Sequence, residues 1–537
     1  MKKNFRKIIS IMIFIFSLFA FASCGKKSLN SLRKSGTGKE YLKAVVEKSI
    51  DTSVEKSSLL SKNWAYYYST KARTTGDLSL NISPEILNML SMYLDMGDFT
   101  FINDIKFKTD IQLNEYLEKM NINFNVGDSS IFTLDFIMNI LNGEFFVSIP
   151  EAINKTLYLK VPEEDFDDYL LLIDSLKKLE TFPINTQEFT TLSKKYVNII
   201  LDNIDEVNKV SETLSLPSIS ENIASLEFDV TEKKFFEIAK TVIQTASTDE
   251  MLKDLINKYQ EYFTVLYNSL KDSLELYEEM PNLYEEFLSI LNDALYTIET
   301  NLTYATDDEP LNFVLYVDDK HTFTGIQLGE KDSTDDYGKI KVLKAENQDK
   351  FEFLFSFGDI KVEGSGNYLN KSVSAEYNLT IDDSIFVSFG YENFNKDGIF
   401  DGNLTGKFFI LPKEGFYYLI NDSFEEFEDY SFLISAKQPK LVFDVNLNKE
   451  KIYNEFGFFS DTTSLLSFKY DGIYSHTPGE IVCPTSNLLN FEDNDFEEKL
   501  LESVDFTVIS ENIKKSSLPA FVKNLANELI EYFNYFY

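Results

Sequence analysis

An alternation of apolar and polar residues over two long parts of the chain is the feature that most constrains its fold. Residues 120–126, for example, alternate Met, Ile, Phe and Val with three Asn, and the same period of two recurs within residues 64–161 and 311–472. Successive side chains of a strand point to opposite faces, so this period predicts strands with one apolar and one polar face. Both regions are therefore predicted to form antiparallel, half-buried strands.

One predicted strand concentrates aromatic side chains on a single face. Phe351, Phe353, Phe355 and Phe357 occupy alternate positions, so their four rings share one side of the strand. Two interpretations remain open: the rings are packed core beneath helices, or they line a cavity for an apolar ligand. These four residues are the candidate ligand-cavity lining.

Residues 163–302 differ, because their apolar residues recur with a period near 3.6. This part is predicted to be a helical insertion with a single strand-like stretch at residues 226–230. Further helices are expected at residues 40–62 and, as an amphipathic helix, at residues 518–536. The predicted class is α+β: a large antiparallel sheet system, with a curved, half-barrel-like form as one option, the helical insertion packed on it and a C-terminal amphipathic helix.

The N-terminus has the pattern of an export signal. Four bases, Lys2, Lys3, Arg6 and Lys7, precede an apolar stretch of residues 8–22. This stretch is shorter than the roughly 20 residues that span a bilayer. Residues 21–25, Phe-Ala-Ser-Cys-Gly, then resemble a bacterial lipobox, which implies cleavage before Cys24 and a diacylglycerol thioether on that cysteine.

The residues after Cys24 are rich in bases. Residues 25–39 contain five positive charges and no acid, and they are predicted to form a flexible tether that contacts anionic lipid. The five bases are Lys26, Lys27, Arg33, Lys34 and Lys39.

These patterns divide the chain into five parts. They are a lipoprotein signal peptide at 1–23, the lipidated cysteine and basic tether at 24–39, strands plus the helical insertion at 40–310, an antiparallel β meander at 311–480, and a C-terminal helical segment at 481–537.

Charge excludes one class of partner. The chain has 87 Asp and Glu against 51 Lys and Arg, a formal charge of −36. Nucleic-acid binding takes most of its affinity from bases that neutralise phosphates, so no nucleic-acid partner is expected. Membrane association is expected to come from the N-terminal lipid, on the extracytoplasmic face of a bacterial membrane.

Motifs for catalysis are missing from the sequence. The only two histidines, His321 and His476, lie far apart, and no nucleotide-binding or nucleophile motif occurs. We therefore expect no enzyme activity, no cofactor and no metal. The expected function is a non-catalytic envelope lipoprotein that binds a hydrophobic ligand such as a lipid. The alternative is a surface interaction or structural lipoprotein with a filled core, and a carboxylate-dependent hydrolase is a distant third.

The part after Cys24 is also similar to two groups of proteins. Residues 155–162, 225–256 and 313–329 look like segments of uncharacterised lipoproteins of low-GC bacteria. The order of helix, strands, helical insertion and further strands loosely resembles lipoprotein-carrier and lipid-binding lipoprotein folds. That resemblance implies a curved sheet partly closed over an apolar cavity.

Overall fold

A computed structural model describes most of the chain. The described residues are 28–64, 67, 70–94, 97–162, 186–270, 280–330, 338–413, 416, 440–460 and 462–536. The predicted signal peptide, Cys24 and residues 163–185 of the predicted helical insertion lie outside them.

Ten helices occur in the described part of the chain. They are α1 Ser28–Ser35, α2 Gly38–Trp64, α3 Pro84–Leu94, α4 Thr186–Asp202, α5 Glu232–Ala246, α6 Glu250–Leu270, α7 Leu283–Leu302, α8 Phe496–Ser503, α9 Thr507–Lys515 and α10 Ala520–Phe536. Short 3₁₀ turns occupy Thr100–Asp104 and Ile140–Asn142.

Twenty described strands form one sheet. They are β1 Lys71–Ile82, β2 Ile105–Asn114, β3 Leu117–Val126, β4 Ser129–Asn139, β5 Glu144–Ser148, β6 Thr156–Lys160, β7 Asn208–Ser215, β8 Ser220–Val230, β9 Leu311–Val317, β10 Phe323–Glu330, β11 Ile340–Glu346, β12 Lys350–Phe357, β13 Ile360–Leu369, β14 Ser372–Ile381, β15 Ser384–Asn395, β16 Leu404–Pro412, β17 Lys440–Leu447, β18 Lys451–Ser460, β19 Thr463–Ser475 and β20 Leu488–Asn490.

The strand order follows from the pairings. Strands β7 to β19 pair consecutively, and β19 then pairs with β1. Strands β1 to β6 also pair consecutively, and β20 is the edge strand next to β6. Every pairing is antiparallel except β6 with β20. Since most strands are joined by short turns, sequence neighbours become sheet neighbours. The sheet is not closed, and the predicted α+β class with a large antiparallel sheet is confirmed.

Two ends of the strands are named here by the helices that lie next to them. Strands β9 and β1 run in opposite directions, because an odd number of antiparallel pairings, eleven, connects them. The turn 318–322 after β9 therefore lies at one end of the strands, which we call the α1 end. The end of β1 at Ile82, where α3 begins, lies at the other, which we call the α3 end. The strands are staggered, however, so the row of Tyr316 on β9 reaches Leu411 on β16, next to the row that joins Ile410 to Ile82.

The largest hydrophobic core lies between the N-terminal helices and β8–β9. Buried residues of α2, such as Tyr41, Leu42 and Val45, pack with Leu226 of β8 and Val317 of β9. Helices α4, α5 and α7 add further buried residues to this core. Helix α2 has the predicted position but extends slightly beyond residues 40–62.

A second group of helices packs near the other edge of the sheet. Ile513 of α9 packs with Val126 of β3 and Ile131 of β4, and α10 joins this cluster. The C-terminal amphipathic helix is thus present as predicted.

The opposite face of the central strands carries networks of polar side chains among apolar ones such as Val442. Arg73 of β1 donates two hydrogen bonds to Asp110 of β2, at 2.9 and 2.7 Å. On β18, Glu455 accepts from the hydroxyls of Tyr453 and Ser467, at 2.8 and 2.7 Å. Ser467 and Val442 on this face are almost completely buried, so the face is covered in part.

Two expectations need correction. The insertion contains two strands, β7 and β8, where a single stretch at 226–230 was expected. The tether is not flexible from residue 28 onward, because α1 is a helix with Leu29 buried.

Candidate functional site

The four predicted lining residues do lie on one face of β12, but their burial differs. Phe351 is buried, with its ring 5.5 Å from that of Tyr368. Phe353 and Phe355 are half-buried, and Phe353 meets Tyr377 edge-on at 5.9 Å. Phe357, at the α3 end, is 47% exposed. Burial therefore decreases along β12, from Phe351 in the packed core to Phe357 at the surface.

Strand register extends this face across the sheet. Directly paired residues share a face, so the pairings define continuous rows. The row that begins at Phe351 crosses nine strands and consists of Phe351, Gly366, Ala375, Tyr391, Phe408, Phe443, Phe456, Phe468 and Leu80. We call the apolar side of β12–β19 and β1 the aromatic face.

A second row runs parallel to the first. It consists of Phe353, Gly364, Tyr377, Phe389, Ile410, Leu441, Phe458, Leu466 and Ile82. Eight steps between strands span roughly 38 Å. The two rows form an apolar strip with rings along most of its length.

Both helix groups pack on this same side of the sheet. The series Leu226, Leu315, Ile326, Val342 and Phe355 links the core under α2 to β12. The series Leu78, Phe107, Phe124 and Phe132 links β1 to the cluster under α9 and α10. The aromatic face therefore lies between the two helix groups.

The centre of the aromatic face is open. Phe443, Phe456 and Phe468 are 39 to 54% exposed, and Ile410 and Phe458 are nearly half exposed. Side chains in a packed core have almost no exposed surface. These five side chains thus present a contiguous apolar surface.

Two glycines shape the packed end of the face. On β13, Gly364 and Gly366 lie between the aromatic residues of β12 and β14. A Cβ atom at Gly366 would lie 2.6 Å from Cζ of Phe351 and 2.7 Å from the carbonyl oxygen of Ser374. The aromatic rings of the neighbouring strands thus lie over β13, where the two glycines leave space.

Polar groups border the face at the α1 end. Glu346 accepts from Nζ of Lys344 at 2.7 Å, from the hydroxyl of Tyr368 at 2.9 Å and from Nζ of Lys320 at 3.1 Å. Burial alone raises the pKa of Glu346, but the bonds and charge from Lys344, with those from Tyr368 and Lys320, lower it to about 2. Lys396 lies over the ring of Tyr368, 4.9 Å from its centroid. Glu346 is therefore ionised at neutral pH.

Other reactive side chains are placed outside this face. His321 is buried beneath α1 and α2, and the half-buried Cys483 packs with Ile137 and Phe146, where burial raises its thiol pKa. Among the described residues, no three His, Cys, Asp or Glu side chains are grouped as metal ligands. None of the described helices is long and apolar enough to cross a bilayer.

Sequence reasoning missed most of the aromatic face. Phe408, Phe456, Phe458 and Phe468 were not singled out, although Phe456 and Phe458 alternate within one strand. That alternation signals a shared face, but only the register aligns it with β12. Cys24, the predicted lipidation site, lies outside the described residues.

We compared the chain with protein families, curated proteins and solved structures. No family model, curated protein or solved structure matches the chain.

Proposed function

We propose that this protein is a lipid-anchored envelope protein that binds a hydrophobic ligand, such as a lipid, on its aromatic face. The observation that carries the proposal is the exposure of Phe443, Phe456 and Phe468 between two packed helix groups. Large contiguous apolar surfaces on soluble bodies mark sites of ligand, protein or membrane contact. The proposal requires binding alone and includes no catalytic step, metal or cofactor.

The dimensions of the strip suit acyl chains. A bilayer core about 30 Å thick contains two layers of chains, so one chain extends about 15 Å. The roughly 38 Å row can therefore take two extended chains end to end across the strands. The ionised rim at Glu346, Lys344 and Lys396 supplies polar partners for a headgroup at the α1 end.

Mass spectrometry of organic extracts tests the ligand. Mature protein with Cys24→Ser, purified without detergent, is expected to retain lipid in stoichiometric amounts. Phe468→Glu places a charge at the centre of the face, and we expect it to lose most of that lipid, because burying an unpaired carboxylate beside an acyl chain is costly. The matched control is Phe263→Glu on α6, since Phe263 is similarly exposed, 50% against 54%.

The alternative function is distinguished by the same extracts. A surface interaction or structural protein would yield no lipid from several expression hosts, and Phe468→Glu and Phe263→Glu would then be indistinguishable. That outcome would end the ligand-binding proposal.

The anchor is tested separately. The proposal places the protein on the extracytoplasmic face of a bacterial membrane through Cys24, on the basis of the basic start, the apolar stretch and the lipobox-like residues 21–25. Cells fed a clickable fatty acid should label the wild type and not Cys24→Ala. Equal label in both proteins would exclude lipidation at this residue.

A further inference from the structure

The aromatic face itself contains no charged side chain. Directly paired residues share a face, so the register assigns alternate residues of β12–β19 and β1 to this side of the sheet. On these described strands, none of the residues that face this side is Asp, Glu, Lys or Arg. Any contact between a charge on the protein and a ligand must therefore form at the border of the face.

Charged side chains first appear on β11, the strand next to β12. Lys344 pairs with Phe353 and Glu346 pairs with Phe351, so both side chains lie on the side of the aromatic face. The ammonium of Lys344 lies 5.5 Å from the ring centroid of Phe351. These residues border the face at the α1 end of the strands.

The carboxylate at this border is already paired with cations of the protein. Glu346 accepts hydrogen bonds from Nζ of Lys344 at 2.7 Å and from Nζ of Lys320 at 3.1 Å. Lys320 also interacts electrostatically with the carboxylates of Asp318 and Glu221. The charges of Lys320, Lys344 and Glu346 thus compensate one another, which leaves little attraction for a ligand of either sign.

Lys396, in the turn after β15, is a cation at the same border that has no such compensation. Its ammonium lies 4.9 Å from the ring centroid of Tyr368, and that ring is 5.5 Å from the ring of Phe351. Lys396 makes no ion pair with a described residue, and this includes Asp349 and Asp397 in the neighbouring turns. The side chain is exposed, so its three N–H donors are open to an anionic oxygen.

A series of rings connects this border to the open centre of the aromatic face. The ring of Phe394, two residues before Lys396, lies 5.6 Å from that of Phe408 on β16. The paired residues on the next three strands are all aromatic, namely Phe443, Phe456 and Phe468. Three steps between strands span roughly 14 Å. One acyl chain, half of the bilayer core, extends about 15 Å, so a chain that starts near Lys396 reaches the exposed rings.

We propose that the ligand of the aromatic face has an anionic headgroup, a carboxylate or a phosphate, which Lys396 binds at the α1 end. The inference rests on the proposed function, because it concerns the headgroup of the same ligand. A hydrogen bond from an ammonium to an anionic oxygen is stronger than one between neutral groups. The site therefore discriminates between ligands with the same chain by the charge of the headgroup.

Competition between headgroups tests the inference. Mature protein with Cys24→Ser, stripped of co-purified lipid, is loaded with the neutral dye Nile red, which palmitate, hexadecyl phosphate or hexadecanol then displaces. The three probes have chains of equal carbon number and differ in the headgroup. At about pH 8 both acids are ionised. We expect at least one of the two anions to bind about tenfold more tightly than hexadecanol, and the tighter anion identifies the headgroup as carboxylate or phosphate.

Substitutions assign the preference to Lys396. Lys396→Gln should weaken the binding of the anion about tenfold and leave that of hexadecanol unchanged, because it removes the charge alone. Lys396→Arg keeps the charge and should retain the preference. The matched control is Lys361→Gln on β13, since Lys361 is also exposed but lies on the opposite face of the sheet, and it should bind like the wild type.

Two results would overturn the inference. One is a wild type that binds hexadecanol as tightly as both anions. The other is a preference for anions that survives in Lys396→Gln or falls equally in Lys361→Gln. Circular dichroism establishes that the variants are folded, which the exposed positions of both lysines favour.

The same measurements distinguish the headgroup from the ligand-binding proposal. If no probe displaces the dye, or if Phe468→Glu binds hexadecanol as tightly as the wild type, the aromatic face is not the binding site and the proposed function fails. If hexadecanol binding depends on Phe468 but the anions have no advantage, the headgroup inference alone fails.

Discussion

Tyr41 and His321 form a buried hydrogen bond that joins the first long helix to the sheet. The Tyr41 hydroxyl lies 2.8 Å from Nδ1 of His321, and Nε2 of the same ring lies 2.9 Å from Oδ1 of Asn30. Neutral His321 satisfies both contacts when it accepts from Tyr41 and donates to Asn30. One imidazole thus connects α1, α2 and the turn after β9.

Stability should depend on this histidine as the pH falls. Burial, followed by the charges of Lys48 and Arg33, lowers the pKa of His321 below its ordinary 6.5, and Asp319 opposes this only in part. As the pH falls, the unfolded chain therefore binds a proton at this residue before the folded chain does. The contribution of neutral His321 to the free energy of unfolding is fully present above pH 6.5 and is lost as the pH drops below that value. Urea unfolding at about pH 7.5 and about pH 5.5 should show this loss in the wild type and a smaller one in His321→Gln. An unchanged pH dependence in His321→Gln would contradict it.

Removal of the imidazole should also cost stability at neutral pH. His321→Ala leaves the fully buried Tyr41 hydroxyl without this partner, and we expect a loss of about 1–3 kcal/mol in the free energy of unfolding. The double variant Tyr41→Phe/His321→Ala should be less destabilised than the sum of the single changes, because it removes the hydroxyl that lacks a partner. Additive losses would argue against a direct contact.

Arg33 should hold α1 on the body. Its guanidinium donates to the carbonyl oxygen of Asp318 and pairs with Asp319. In Arg33→Ala we expect trypsin to cleave after Lys34 about tenfold faster, because local opening of α1 becomes easier. Lys361→Ala on β13 serves as the control and should leave the rate unchanged. Equal protection of all three proteins would mean that other contacts hold α1.

Gly366 should not tolerate a side chain. Its Cβ would clash with the Phe351 ring and the Ser374 carbonyl oxygen, and a forced fit in packed surroundings costs about 1–3 kcal/mol. Gly366→Ala is therefore expected to lower the urea midpoint. Gly338→Ala, where no atom lies within 4 Å of the new Cβ, should change stability by less than about 0.5 kcal/mol.

Glu346 should stabilise the rim only while it is ionised. The folded protein lowers the pKa of Glu346 from 4.5 to about 2, although burial opposes this change. The contribution of Glu346 to the free energy of unfolding is therefore fully present above pH 4.5 and is lost as the pH falls toward 2. Glu346→Gln should therefore destabilise the protein at pH 7 and much less near pH 3. A loss of equal size at both pH values would contradict the role of the charge.

The alternation in the sequence was sufficient to predict most strands and the α+β class. The start of α3 is also encoded locally, because Ser83 and Pro84 suit the first turn of a helix and Ile86 N–H donates to Ser83 Oγ at 3.3 Å. Strand β7 and the first half of β8 were missed for an identifiable reason. Residues 223–226 of β8 are buried on both sides of the sheet, so no period of two is visible there, and β7 is mostly exposed and polar.

The helix α1 was missed for another reason. Residues 25–39 have the composition of a solvated tether, and composition cannot reveal that Arg33 finds Asp319 in a turn far along the chain. A short helix of eight residues is marginal in isolation, so packing decides whether it forms.

The sequence by itself determined that this chain makes amphipathic antiparallel strands, helices at residues 40–62, within the insertion and at residues 518–536, and a face of phenylalanines on β12, because side-chain periodicity is local. Only the tertiary structure decided that Phe351 shares one row with Phe468 and that the centre of this row is open. Backbone hydrogen bonds are the same for every residue, so register and coverage depend on packing between segments that are distant in sequence.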